Sequence, residues 1–199
     1  MDFYPVKFSI EAVTISMGIG NENFKPVEDL CMEIDVNLTI EETAIGKIVF
    51  EVRQEKNPCS LCSNMKRGAI NNVAKRLGCN KVALAHNMDD VIETFLLSLF
   101  FEGRIHTFSP VTYLERTGLT VIRPLIYAPE KEIKSFVKKY GIETVPSPCP
   151  ANGTTKRHYI KELLKELEKD NRKLKGNLFG AIKRATWKGG NTEEVIKCT

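Results

Sequence analysis

Pro58-Cys59-Ser60-Leu61-Cys62 sets two thiols three residues apart at the start of a predicted helix. Unpaired backbone N–H groups at a helix start favour thiolate over thiol, which suits metal ligation or redox work. The spacing alone leaves open a zinc half-site, a redox pair, an iron–sulfur anchor and two ordinary buried thiols. A zinc site would normally add a second C-x-x-C or a spaced His pair, and the sequence contains neither. Of the other cysteines, Cys31 falls on an apolar helix stripe, Cys79 in a turn and Cys198 beside the C-terminus. Cys149 differs, because Pro146-Ser147-Pro148-Cys149-Pro150 is a stiff turn that fixes a thiol in space. Three such thiols suit an iron–sulfur cluster with one iron left open, four thiolates being the usual complement. Lys66 follows Cys62 by one helical turn on the same face, where it can meet a phosphate or a developing anion. A solvated surface lysine is its ordinary alternative.

Ala85-His86-Asn87-Met88-Asp89-Asp90 joins a predicted strand to a predicted helix. One or two carboxylates there can hold Mg²⁺ on a nucleotide phosphate. The plainer reading makes Asp90 the helix N-cap, with Glu93 completing a capping box, and His86 a packed strand-end residue. His106 and His158 fall in polar loops or helix starts.

The elements that must hold these groups alternate. Phe8 to Ser16 and Val36 to Ile40 read as strands, with a Pro26-initiated helix between them. Thr43 to Glu55 reads as a helix, and the helix from Ser60 runs on Leu61, Met65, Ala69, Val73 and Leu77 until Gly78 stops it. Lys81 to His86 is a short strand and Leu119 to Ile122 another. Helices follow at Asp90, at Pro129 and over about 156–170 and 172–186. This order predicts an α/β fold with a mostly parallel sheet flanked by helices. Ligands in such folds sit beyond the carboxyl ends of strands, which points to Thr14–Gly18, Ala85–Asp90 and Arg123.

No apolar run is long enough to span a membrane, and the first residues lack a signal-peptide pattern, so a cytoplasmic protein is expected. The charge is uneven. Of 29 Lys and Arg and 25 Asp and Glu, 12 and 6 fall in residues 151–199, giving +6 there and −2 over the rest. The division expected is an α/β domain over 1–150 and a basic helical tail over 151–199, the tail suiting a nucleic-acid partner.

The runs PCSLCSNMKRGAINNVAKRLG, KVALAHNMDDVIETFLLSLFFEGR, VIRPLIYAPEKEI and PSPCP resemble, in this order, the tRNA 2-thiocytidine biosynthesis (TtcA-like) group of the PP-loop adenine-nucleotide α-hydrolase superfamily. The likeness runs from about Tyr4 to Leu178. It implies ATP-dependent tRNA thiolation in which Mg-ATP adenylates a base oxygen and sulfur replaces the adenylate. It implies a [4Fe–4S] cluster on Cys59, Cys62 and Cys149, with Lys66 and Asp90 near the reacting centre. Asp89, Ala85 and His86 would line the nucleotide site. Val13, Thr14, Ile15 and Ser16 would form the adenine-contacting strand. It further implies tRNA and a sulfur donor such as a cysteine desulfurase as partners, admits a homodimer, and favours cytidine as the target because flanking zinc fingers are lacking.

The sequence departs from the group in three places. The family's S-G-G-x-D-S phosphate loop has no counterpart, so a truncated form with impaired ATP use is expected. Ala85 and Asn87 alter the G-H-H-x-D-D run, and Asn152 stands where some relatives have a further cysteine. The alternatives are a non-catalytic iron–sulfur or RNA-binding remnant, and a zinc-binding structural module using the three thiols with His86 or His158.

Overall fold

The computed structural model describes residues 7–20, 22–54, 58–151, 153 and 155–187. These fall into two compact units. The first holds the chain up to Cys79 together with Gly141–Pro150, and the second holds Asn80–Tyr140 and the chain from Ala151. Asn152 and Cys198 lie outside the described residues.

In the first unit β1 (Glu11–Ser16) and β2 (Asn37–Glu42) pair in parallel, Glu11 opposite Asn37 and Ser16 opposite Glu42. Helix α1 (Lys25–Glu33) crosses between them, with Pro26 in its first turn, and buries Cys31. Strand β1 begins later than the sequence suggests. Phe8 and Ile10 precede it and are exposed, so the alternation there buries nothing.

The helix expected over 43–55 forms only partly. A single turn, α2 (Ile45–Lys47), passes into a π-helical segment at Ile48–Arg53. The wider turn rotates Val52 off the stripe, leaving it exposed while Ile45 and Val49 are buried. Met17, Ile45, Val49 and Cys62 form the core of this unit, so the α3 (Pro58–Arg76) thiol at Cys62 is part of the packing.

In the second unit the sheet order is β3 (Lys81–Ala83), β5 (Leu119–Ile122), β4 (Val111–Leu114). β3 and β5 are parallel, whereas β4 is antiparallel to β5 and joined to it by a short turn in which Gly118 takes φ +71°. The sequence reading misses β4, whose Tyr113 is exposed and whose four residues carry too little alternation. β3 is shorter than the KVALAH run, although Leu84 N–H still donates to Ile122 O.

Helix α4 (Met88–Glu102) is the centre of this unit. Val91, Ile92 and Leu96 pack with Ile126, with Ile160 and Leu164 of α6 (Lys156–Asp170), and with Phe179 and Ile182 of α7 (Leu174–Thr186). Each such side chain contributes about 1.5–3 kcal/mol by leaving water. The basic helix pair is therefore packed through an apolar seam against α4. Helix α5 (Glu130–Lys139) follows Pro129.

The N-cap of α4 corrects the sequence reading. Asn87, not Asp90, is the cap. Its side chain accepts from Asp90 N–H at 3.1 Å, and Asp90 Oδ2 accepts from Asn87 N–H at 2.9 Å. The helix starts at Met88, so Asp90 is the third helical residue and Glu93 falls one turn too far to close the box.

Candidate functional site

Cys59, Cys62, Cys149 and Lys66 all belong to the first unit. Cys59 is exposed at the start of α3, Cys62 is buried one turn on, and Cys149 is half-buried in its proline turn. Burial pushes the Cys62 thiol up. The Lys66 ammonium pulls it down, and the neighbouring charges of Cys149 and Cys59 push it up again. Sulfurs separated by 87 residues in the chain thus share one electrostatic neighbourhood. Among the described residues no three His, Cys, Asp or Glu side chains close to metal-ligating distances. The donor chemistry nonetheless suits iron: three soft sulfur atoms in one unit, a helix start under two of them, and a cation that pulls the Cys62 thiol toward thiolate.

Strand β1 ends at buried Ser16, and the turn beyond it gathers donors. Ser16 Oγ donates to Glu22 Oε2 at 2.7 Å, while Met17 N–H and Gly18 N–H reach the same oxygen at 3.0 and 3.2 Å. Gly18 has φ +64°, a conformation that glycine adopts without strain. Thr43 anchors the other side, its hydroxyl donating to Ser16 O at 2.7 Å. Val13, Thr14 and Ile15 precede this turn in the half-buried part of the strand. Glu22 was not legible as a site residue, since nothing in its sequence neighbourhood marks it.

The Asp89–Asp90 pair and His86 belong to the second unit, as does His158. Ala85 is exposed, and the His86 ring lies 4.6 Å from Phe108, tilted by 39°. Arg123 is held locally, donating to Ser109 O at 2.6 Å and to Thr112 Oγ1 at 3.1 Å.

Asp89 is buried, and both its oxygens are engaged. Oδ2 accepts from Glu130 N–H at 2.7 Å, and Oδ1 lies 2.9 Å from Lys175 Nζ. Burial alone would raise its pKa. The Glu130 amide and the Lys175 ammonium outweigh that and hold it below the ordinary value. Each Asp89 oxygen thus already has a charge-compensating partner within the protein. Asp90 keeps one less committed oxygen, Oδ1, which faces Arg157 Nη1 at 3.6 Å.

Three further charged residues meet here that the sequence reading does not bring together. Glu93 is 3% exposed at its side chain and faces Arg157 Nη1 at 2.9 Å and Lys161 Nζ at 3.6 Å. Its signal was a lone acid among Val91, Ile92, Phe95 and Leu96 on an apolar helix. Arg157 and Lys161 come from the basic stretch 151–199 that suits a nucleic-acid partner in sequence.

Residues 11–167 match the sequence model of a family described as a PP-loop domain. The chain belongs to that PP-loop family. Within it, the chain is 38% identical over 181 residues to a tRNA-cytidine(32) 2-sulfurtransferase of Pelobacter propionicus, covering 89% of this chain and 67% of the relative. It is likewise 38% identical to the enzyme of the same name from Citrifermentans bemidjiense, of which it covers 71%. By family it is thus grouped with tRNA sulfurtransferases. Among solved structures, a U34-tRNA thiolase from Methanococcus maripaludis, with its [4Fe–4S] cluster, shares the fold. The TM-score is 0.71 and the identity 21%, over 88% of this chain and 61% of that one. The α/β architecture expected from the element order is the one found. Among the described residues no helix is long and apolar enough to cross a membrane.

Proposed function

We propose that this chain acts in ATP-dependent tRNA thiolation, with Cys59, Cys62 and Cys149 as the ligands of a [4Fe–4S] cluster and cytidine as the target base. The observation that carries this reading is the placement of Cys59, Cys62, Lys66 and Cys149 in one compact unit, with the other three groups close enough to act on the Cys62 thiol. Its support from outside the chain is the run of sulfurtransferase relatives. When bound, the cluster would supply the sulfur that replaces the activated base oxygen.

The chain's own residues position and polarise. Lys66 pulls the buried Cys62 thiol part of the way back toward thiolate and offers a cation to the departing phosphate. The strand Val13 to Ser16 presents backbone groups to adenine. Asp90 Oδ1 is the carboxylate oxygen left for a nucleotide-bound Mg²⁺. Cations of α7 and of the turn before it that are not paired with α4 or α5, such as Arg172, Lys173 and Arg184, meet tRNA phosphates. A cysteine desulfurase serves as sulfur donor. The 199 residues contain no S-G-G-x-D-S run to cradle phosphates, so by themselves they bind Mg-ATP weakly.

Anaerobic iron and sulfide reconstitution tests the reading. The expected product is brown, with a broad band at about 400 nm. Cys59→Ala abolishes the band and Cys198→Ala leaves it. A colourless protein carrying one zinc would overturn the cluster and favour a structural metal module. Calorimetry with Mg-ATP separately tests the nucleotide statement, which tight binding would overturn.

A further inference from the structure

The sequence pairs Asp89 and Asp90 as though they did one job, but their surroundings differ in kind. Asp89 reaches two other elements at once. Its Oδ2 accepts the amide of Glu130 at the start of α5, and its Oδ1 holds Lys175 of α7. Lys175 also meets Glu168 of α6 at 3.1 Å, so one ammonium ties α4, α6 and α7 together. The pair is well shielded, with side-chain exposures of 26% for Lys175 and 8% for Asp89. Asp90 is bound locally through Oδ2 to Asn87 N–H, and its Oδ1 faces the more distant Arg157 Nη1 at 3.6 Å.

We propose that Asp89 is a docking carboxylate rather than a magnesium ligand. Lys175 is the positioning residue that holds the place a divalent cation would need, and Asp90 keeps the less committed oxygen. This deepens the thiolation reading by dividing the acidic pair into a structural and a reactive half. It rests on that reading only for the role of Asp90. The physical argument is charge and geometry. An ammonium 2.9 Å from Oδ1 repels a divalent cation approaching the same oxygen. A buried carboxylate that loses its cation is left uncompensated in a poor solvent for charge. The start of α5 and Lys175 of α7 are thereby fastened to the same α4 start that presents Asp90.

The test uses the full chain, with Mn²⁺ alone as probe, read by electron paramagnetic resonance, and thermal melting beside it. In the wild type, Asp89→Asn leaves Mn²⁺ affinity unchanged. Lys175→Met frees the carboxylate and raises Mn²⁺ affinity about tenfold, a gain that adding Asp89→Asn removes. Asp89→Asn and Lys175→Met each lower the melting midpoint by roughly 10 °C, and the double variant falls little further. Lys175→Arg keeps the cation and stays near the wild type in both readouts. Unfolding of Lys175→Met alongside a folded Lys175→Arg supports the proposal. It is overturned if Asp89→Asn alone weakens Mn²⁺ binding, if the two melting losses simply add, or if the Met variant melts like the wild type. Each readout is independent of cluster and tRNA, so a failed thiolation assay would leave it standing.

Discussion

Arg157 in α6 donates to Glu93 Oε2 in α4 at 2.9 Å, and to Thr94 Oγ1 at 3.1 Å, across 64 and 63 residues of chain. Glu93 is nearly inaccessible, so this guanidinium is the main group compensating its charge; Lys161 stands further off at 3.6 Å.

Removing Arg157 should therefore cost more than removing the acid it serves. Arg157→Ala is expected to lower unfolding stability by about 2–3 kcal/mol and Glu93→Gln by less, because a buried amide is less costly than an unpaired carboxylate. Urea titration of both variants checks the order.

Glu93 also sets a pH dependence. Burial lifts its pKa above the ordinary 4.5, only partly offset by Arg157 and Lys161. A raised acid binds its proton more tightly in the folded state. Its contribution is full below 4.5 and is lost as pH rises through the folded value. Urea midpoints of wild type relative to Glu93→Gln should decline across that window. Arg157→Ala should move the window to higher pH.

Asp89 behaves oppositely. Its pKa lies below the ordinary 3.8, because the Glu130 amide and Lys175 outweigh its burial. Its stabilisation is present above 3.8 and is lost as pH falls through the lower folded value. Wild type and Asp89→Asn should therefore converge in melting temperature toward acid pH. A constant gap would contradict the assignment.

The thiols should differ in reactivity. Cys59 is exposed, while burial raises the Cys62 thiol and Lys66 counters it. Alkylation followed by mass spectrometry should label Cys59 first. Lys66→Met should shift Cys62 labelling to higher pH, since the charge that favours thiolate is gone.

Gly46 is a steric test of the β1 turn. A Cβ there would lie 2.1 Å from Ile19 Cγ1 and 2.8 Å from Met17 O. Gly46→Ala should cost about 1–3 kcal/mol through displacement of the Met17–Ile19 segment. Gly176→Ala, where nothing lies within 4 Å, should be neutral or slightly stabilising on the same urea scale.

The sequence by itself determined what depends on neighbours along the chain. Hydrophobic period and stop residues placed the helix ending before Gly78, the strand Leu119–Ile122 and the last two helices close to where they fold. Residue type and spacing singled out Cys59, Cys62 and Lys66 within one helical turn or two. The ordered motifs carried the family. What only the tertiary structure decided depends on which distant elements meet. A three-residue shift of the α4 start moved the cap from Asp90 to Asn87 and left Glu93 to a partner in another helix. Asp89 and Asp90 look alike in sequence. They part company because an amide 41 residues away and an ammonium in α7 reach one and not the other. Likewise, cations that read as a uniformly basic tail divide into those neutralising buried acids and those facing solvent. Local pattern fixes which face of a helix is apolar. The partner of a buried charge is fixed by packing, because only packing brings a compensating group within reach.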